Sequence, residues 1–402
     1  MLQGRSLSVL WFSFLIGIGT ALSAHATDGN ELIGIGAVQK GTAGAGVAAP
    51  QDATWALLNP AAIVDLDKRL DISVEYLDLF RGSEPDGFGL VVNSRALHLT
   101  DHGAIFVPSF GMVWPLEHGT LGFGIFGVQG NNADYDRPRT TLGLSRGNDR
   151  RSSLSVAKIP LSYGYKFDNG WAVGASLLGV FTEFRTDSLT LKLRPTEGNY
   201  EKDYALGIGL QLSLYKEWER FRFGATWTSR QAVQQYEHYE DAIKWNLDLP
   251  EKIQIGVAWK VTPRLELLAD YKWQGWSEIN QFAKKTIEGG LGWVDQDIYK
   301  LGAIYRLNDR WTYRAGFSHG NSAVPEEFVF ANALSPAIAE DHVTFGFSHR
   351  INDRHEVHFA YTHTLAVDKT DNGHGDLFSI IGRGTKVEYE EEAYTVQYSY
   401  RF

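Results

Sequence analysis

From Arg69 onward, apolar and polar residues alternate with period two, in stretches of about ten residues that each end in a turn signal. Leu206, Ile208, Leu210, Leu212 and Leu214 alternate with Gly207, Gly209, Gln211 and Ser213. Ile253, Ile255, Val257 and Trp259 repeat the pattern, as do Tyr299, Leu301, Ala303 and Tyr305. Trp311, Tyr313, Ala315 and Phe317 follow, and the last stretch is the cleanest: Tyr394, Val396, Tyr398, Tyr400 and Phe402 against Thr395, Gln397, Ser399 and Arg401. Period two places one set on each face of a strand, and about fourteen such strands are predicted.

The connections alternate as well. Tight turns are expected at Asp168-Asn169-Gly170, Thr262-Pro263-Arg264, Asn308-Asp309-Arg310 and Asn352-Asp353-Arg354. Between them lie long polar stretches, at Gly130 to Ser153, Gln231 to Leu249 and Ser318 to Asp341. Structureless loops of that length are unusual in a compact domain. Short turns on one side and long loops on the other are the habit of an outer-membrane barrel, with both chain ends on the periplasmic side.

Alternation alone also fits a soluble sandwich, so the character of the two faces decides. Trp114, Trp171, Tyr215, Trp227, Trp259, Tyr271, Trp273, Trp311 and Tyr400 fall near strand ends, where an interfacial aromatic girdle would sit. The opposite faces carry Gly, Ser, Thr, Gln, Lys and Arg, a poor dry core but a good wet lumen. A sheet in lipid must close, because an edge amide there finds no water. The predicted fold is therefore an all-β transmembrane antiparallel barrel over residues 67–402, ending on an aromatic Phe402 that resembles the C-terminal signal read by the barrel-assembly machinery.

Composition narrows the chemistry. Among 402 residues there are 42 Gly, 12 Trp, 18 Tyr and 22 Phe but no Cys, so thiol catalysis, Cys-ligated metals and disulfides are excluded. The net charge of −10 argues against a nucleic-acid partner. A mean hydropathy of −0.23 is too polar for a bundle of membrane helices. Neither a cofactor nor a metal is expected: His355 and His358 would point to opposite faces of a strand, and Gly44-Ala45-Gly46-Val47-Ala48-Ala49 has dinucleotide-loop spacing without a surrounding βαβ unit.

Residues 1–26 read as a secretory signal, with Arg5, an apolar Leu7 to Ala21 and an Ala24-His25-Ala26 cleavage pattern. Residues 27–66 lack the strand pattern and are rich in Gly and Ala, with a short helix expected within Gln51 to Asn59. A plug folded into the lumen is the economical reading; a disordered periplasmic tail is the alternative.

Gly41-Thr42-Ala43-Gly44-Ala45-Gly46-Val47-Ala48, then Asp52-Ala53 and Asn59-Pro60-Ala61-Ala62-Ile63, resemble the hatch of the FadL-type outer-membrane transporters. Val107-Pro108-Ser109-Phe110, Gly122-Phe123-Gly124, Leu249-Pro250-Glu251, Ala269-Asp270-Tyr271, Arg314-Ala315-Gly316-Phe317 and Val324-Pro325 extend the similarity in order along the mature chain. The resemblance implies a fourteen-stranded barrel with an N-terminal hatch that carries long-chain fatty acids or other hydrophobic compounds, not an enzyme. It places Gly41, Gly44, Gly46, Asn59, Pro60 and Ala61 in the hatch. It also implies capture at the outer loops, an apolar pocket, and sideways release through a gap beside a kinked third strand at Thr120 to Gln129. Gly127 and Gly130 are candidates for that kink; an ordinary strand end is the other reading.

A lipophile gains ~0.8 kcal/mol per buried methylene, which a water-filled pore cannot supply. A carboxylate head would want a lumen cation, and by alternation Lys252, Lys300, Arg306 and Arg314 are the inward candidates. The competing expectation is that they pair with lumen acids such as Glu266 and Asp270. Phe328-Val329-Phe330 and Ala337-Ile338-Ala339 in the long loop are candidates for an outer capture groove. The expected partners are a hydrophobic ligand, outer-membrane lipid and lipopolysaccharide, with the protein a monomer. An aqueous porin, an adhesion barrel or an outer-membrane hydrolase are the alternatives.

Overall fold

A computed structural model describes residue 28 and residues 31–84, 99–135, 150–186, 201–240 and 243–402. The expected signal at 1–26 lies outside these residues, as does 136–149 of the first expected long loop. Beyond an N-terminal segment the chain is strand after strand. β1 (Arg69–Glu84), β2 (Leu99–Leu116), β3 (Gly119–Tyr135), β4 (Arg150–Lys166) and β5 (Trp171–Thr186) come first. β6 (Asp203–Glu217), β7 (Phe221–Thr228), the two-residue β8 (Ala232–Val233), β9 (Lys252–Lys260) and β10 (Leu265–Gln274) follow. β11 (Gln296–Arg306), β12 (Trp311–Gly320), β13 (Asp341–Arg350), β14 (His355–Thr370) and β15 (Lys386–Arg401) complete the set.

Sequential neighbours pair antiparallel, and β1 pairs with β15 from Arg69↔Arg401 to Glu84↔Lys386, which closes the sheet. β8 adds two rungs to β6 in line with β7 and is not a separate wall strand. The wall therefore has fourteen strands, as the alternation predicts.

The faces decide the environment. Leu206, Ile208 and Leu301 are each 58% exposed, while the polar set of the same strands faces inward, with Lys300 only 2% exposed. An apolar face turned out and a polar face turned in excludes a sandwich and suits a wall bathed in acyl chains. Trp114, Trp259, Trp311 and Tyr400 take outward girdle positions, and Lys68 lies over both Trp114 and Phe402 at the periplasmic rim. Tyr215 does not join them. It is fully buried, because its odd position shares the inner face with Ser213, and it packs against Ala61, Ala62 and Ile63.

The tight turns form where predicted, through one repeated device. Asn308 Oδ1 accepts from the backbone N–H of Arg310 and Trp311, and Asn352 Oδ1 from Arg354 and His355, at 2.9–3.0 Å. In the Asp168-Asn169-Gly170 turn, Gly170 takes φ +80, which a side chain would disfavour. The stretch from Gly130 to Ser153 is less of a loop than expected, since β3 runs on to Tyr135 and β4 starts at Arg150. Beyond the lipid, ladder hydrogen bonds hold a hairpin without any need for an apolar outer face.

The segment 31–66 is buried almost throughout and lies against the inner face of the wall. It carries short helices at Gly36–Lys40 and Trp55–Leu58 and a 3-10 turn at Ala62–Asp65. The inward glycines of the wall make room for it. A Cβ on Gly174 would stand 2.2 Å from Ala61 N, and one on Gly316 would stand 2.3 Å from Thr42 C.

Candidate functional site

The N-terminal segment is held by hydrogen bonds to inward side chains from around the barrel. Asp270 accepts from the N–H groups of Gly46 and Val47, both at 2.9 Å. Asn59 Nδ2 donates to Val47 O at 2.7 Å, and Ala61 N donates to Ser213 Oγ at 2.8 Å, beside Pro60. Gly44 (φ +72) and Gly46 (φ +132) occupy backbone conformations that favour glycine, and a Cβ on Gly44 would collide with the Ile33 carbonyl. Gly41 instead packs against the Arg314 side chain. Arg69 grips Asp71 through two 2.8 Å bonds and donates to Gln51 O, while Asp71 accepts from Ala53 N.

The four candidate cations divide into two pairs. Lys252 and Lys300 belong to one buried cluster with Lys158 and Lys272, and the segment's own acids enter it. Lys272 contacts Asp28 at 2.9 Å and Glu31 at 3.1 Å; Lys300 contacts Asp28 at 2.6 Å; Lys252 pairs with Glu31; Lys158 lies 3.7 Å from Glu31. Burial opposes ionisation of both acids, yet Lys272 and Lys300 hold Asp28 down to about 2, and Lys252, Lys272 and Lys158 hold Glu31 well below the usual carboxylate range. These lysines border a cavity of ≈ 100 Å³ that Leu32, Ile35, Leu57 and Val128 also line. Arg306 pairs with Glu266 at 3.0 Å, and Arg314 binds Gln51 and Ser348, so both tie structure together at the periplasmic end.

Beside this cavity the wall is incomplete. The β2–β3 ladder runs from Leu116↔Gly119 to Ser109↔Phe126. Above it β2 pairs with β1 and β3 with β4, and among the described residues no rung joins 99–108 to 127–135. β3 carries a bulge at the same place: its register to β4 shifts between Gly127↔Ala157 and Gln129↔Val156, leaving Val128 as the extra residue. A Cβ on Gly127 would meet Val107 Cγ1 at 2.3 Å, whereas Gly130 lies beyond the bulge in regular pairing with Ser155. The β3 edge is taken by the N-terminal segment: Leu32 N donates to Val128 O at 2.9 Å, and Glu31 bridges Gln129.

The outer loops form a packed cap. Trp276, Phe282 and Trp293 pack edge-to-face or tilted with centroids 4.7–4.9 Å apart. Their apolar cluster continues through Phe184, Val180 and Val156 to Phe126, Val128 and Leu32. Phe328 and Phe330 are half-buried against Gly292 and Gly382, and Ala337, Ile338 and Ala339 are core to the cap rather than an open groove. Ile287, Leu377 and Ile380 of the cap are each above 50% exposed.

A family model described as outer membrane protein transport protein (OMPP1/FadL/TodX) matches residues 20–402. The chain belongs to that family. The family places it in the bacterial outer membrane as a transport channel. Solved structures with the same fold include the Pseudomonas putida toluene transporter TodX, at 16% identity and TM-score 0.69 over 92% of this chain and 99% of that one. A Pseudomonas aeruginosa FadL homologue matches at 16% and 0.69 over 95% and 100%, and the Ralstonia pickettii toluene transporter TbuX at 18% and 0.63 over 92% and 98%. No curated protein is significantly similar to the sequence.

Against that family background, the residues that sequence reasoning missed are Asp28, Glu31, Lys158 and Lys272. The signal existed, since Asp28 and Glu31 are carboxylates at the head of a stretch dominated by Gly and Ala. Lys272 follows Asp270 by two residues on the same inward face.

Proposed function

We propose that the protein is a passive outer-membrane transporter of hydrophobic molecules, with residues 27–66 as a hatch. The ligand is received at the cap near Ile287, Leu377 and Ile380, passes down the apolar cluster, and leaves sideways into the bilayer between β2 and β3. The observation that carries this reading is the unpaired stretch between 99–108 and 127–135 among the described residues, bordered inside by the cavity and met at the β3 edge by Glu31 and Leu32 of the N-terminal segment. Sideways exit keeps an acyl or aromatic body out of water at every stage, retaining the ~0.8 kcal/mol per methylene that an aqueous lumen forfeits. No energy source is needed, because hatch movement is a population shift bounded by the ligand's differential affinity for its two states. The solved relatives described as toluene transporters, and the FadL homologue, support a hydrophobic cargo.

Planar-bilayer conductance and uptake test the reading together. The full chain should be nearly silent to ions while cells carrying it take up labelled oleate or toluene saturably. Large steady currents from the full chain would instead indicate an aqueous porin. Deleting residues 27–66 should raise conductance and abolish saturation.

A further inference from the structure

The outer ends of the wall strands stand at unequal heights. β14 and β15 pair out to Thr370↔Lys386, whereas β13 leaves β14 at His342↔Thr364. On the other flank β6 likewise overtops β7, whose ladder to β6 ends at Gln211↔Thr228. There the bare edge is covered: Ser229 N donates to Leu210 O, β8 pairs with Gly207 and Ile208, and Gln234 N donates to Leu206 O. The β14 edge differs. Among the described residues, no backbone hydrogen bond joins 365–370 to anything but β15. This edge also lies clear of the lipid. Tyr76, Tyr394 and Tyr361 form an outward aromatic row with neighbouring centroids 5.3–6.3 Å apart, and the outward positions beyond it include Asp78, Glu392 and Asp368. Water can therefore solvate the free amides and carbonyls, and another strand can take the place of that water.

Beside the edge runs a cavity of ≈ 450 Å³, lined by 367–372 and by Glu326 and Glu340 of the β12–β13 connection. Val367 is the one apolar residue of that lining, so the groove does not suit an acyl chain. Glu326, Glu340, Asp368 and Asp371 share it with a single cation, Lys369, which is already engaged by Glu340 at 3.3 Å and Val324 O at 3.1 Å. Lys386 approaches Asp368 from β15, at 3.7 Å. Asp371 is taken up by Ser379 Oγ and the N–H groups of Phe330 and Gly373, which leaves Glu326, Glu340 and Asp368 to set the charge. A second copy of the chain would bring the same acids to the same edge and be repelled. The bulge at Leu365 and Ala366 guards against self-pairing as well. A strand with cationic side chains is the complement.

We propose that residues 365–370 are a docking edge for an extended basic segment of a secreted or neighbouring surface protein, which adds to β14 as a further strand. The edge is about 20 Å long at the rise of an extended chain. Main-chain hydrogen bonds supply affinity whatever the sequence, and alternate Lys or Arg side chains set against the acids select the charge.

A fluorescent eight-residue peptide of alternating lysine and valine tests this on the full-length protein in non-ionic detergent. Anisotropy should report saturable binding, and its absence would overturn the proposal. A peptide of the same charge with its two central valines replaced by proline cannot pair as a strand and should bind at least tenfold more weakly. Equal binding of the two peptides would overturn strand addition. E326Q/E340Q/D368N should weaken the lysine peptide about tenfold. E117Q/D168N/E219Q, which removes three exposed acids from the opposite, periplasmic turns, should bind it as wild type does. Both variants are checked for folding by heat-modifiable gel mobility. Equal weakening by both, or none by the first, would overturn the site.

Discussion

Leu32 donates its backbone N–H to the carbonyl of Val128, the one residue by which β3 bulges out of register with β4. The contact joins the N-terminal segment to the free edge of the barrel wall. An unpaired edge inside a membrane has no water to satisfy it, so this bond and the Glu31–Gln129 bridge beside it satisfy part of that edge. Replacing Leu32 with Pro removes the donor and leaves the Val128 carbonyl bare, at a cost of about 1–3 kcal/mol. If this segment is the gate, L32P cells should take up labelled lipophile roughly tenfold faster at subsaturating concentration. An unchanged rate would remove residues 31–32 from the gating step.

Gly174 faces the Pro60–Ala61 backbone so closely that any side chain must push the segment off the wall. G174V should cost about 1–3 kcal/mol of overpacking, felt by the segment and not by the β-ladder. The expected result is a barrel that keeps its heat-modifiable gel mobility while protease now cleaves before Arg69. A variant that loses the barrel band as well would show that segment and wall fold as one unit.

Arg69 and Asp71 form a buried, doubly bonded pair at the base of β1, and both also bind the segment, through Gln51 O and Ala53 N. R69A strands Asp71 as an unpaired buried charge, which costs about 3–5 kcal/mol. Thermal unfolding of the purified protein should show a marked fall in midpoint. R69K should recover only part of it, because an ammonium cannot match the two parallel bonds.

The wall was legible because lipid enforces a simple rule: Leu206 through Leu214 must alternate, and they do, outward-facing. Turns were legible because Asn308 and Asn352 carry their own hydrogen-bonding device. The site was not. Lys252 and Lys300 were identified as inward, but their partners Asp28 and Glu31 lie more than 200 residues away, and no period links them. Tyr215 lies near a strand end, as a girdle residue does, but its parity turns it to the inner face. Inward glycines such as Gly174 and Gly316 suit a wet lumen in sequence, although their meaning depends on what fills the space. The gap between β2 and β3 was unreadable in either strand alone, because it is an absence of pairing between two segments that each have another partner.

Asp28 sets the pH response of the cluster. Burial pushes its carboxyl upward, but Lys272 and Lys300 prevail and hold it at about 2, below the ordinary 3.8. A depressed folded value means that ionised Asp28 adds stability which is complete above the unfolded value and is lost as pH falls through the folded one. The contribution is on the order of 2 kcal/mol and is confined to a window between about pH 4 and pH 2. The difference in unfolding midpoint between wild type and D28N should therefore be flat from pH 8 to pH 5 and shrink below pH 4. A difference that already shrinks between pH 7 and pH 5 would mean that Asp28 is not held by the two lysines. Across the range a cell surface meets, acidification should leave the N-terminal segment in place, and any loss of uptake at low pH should track protonation of the ligand's own head group.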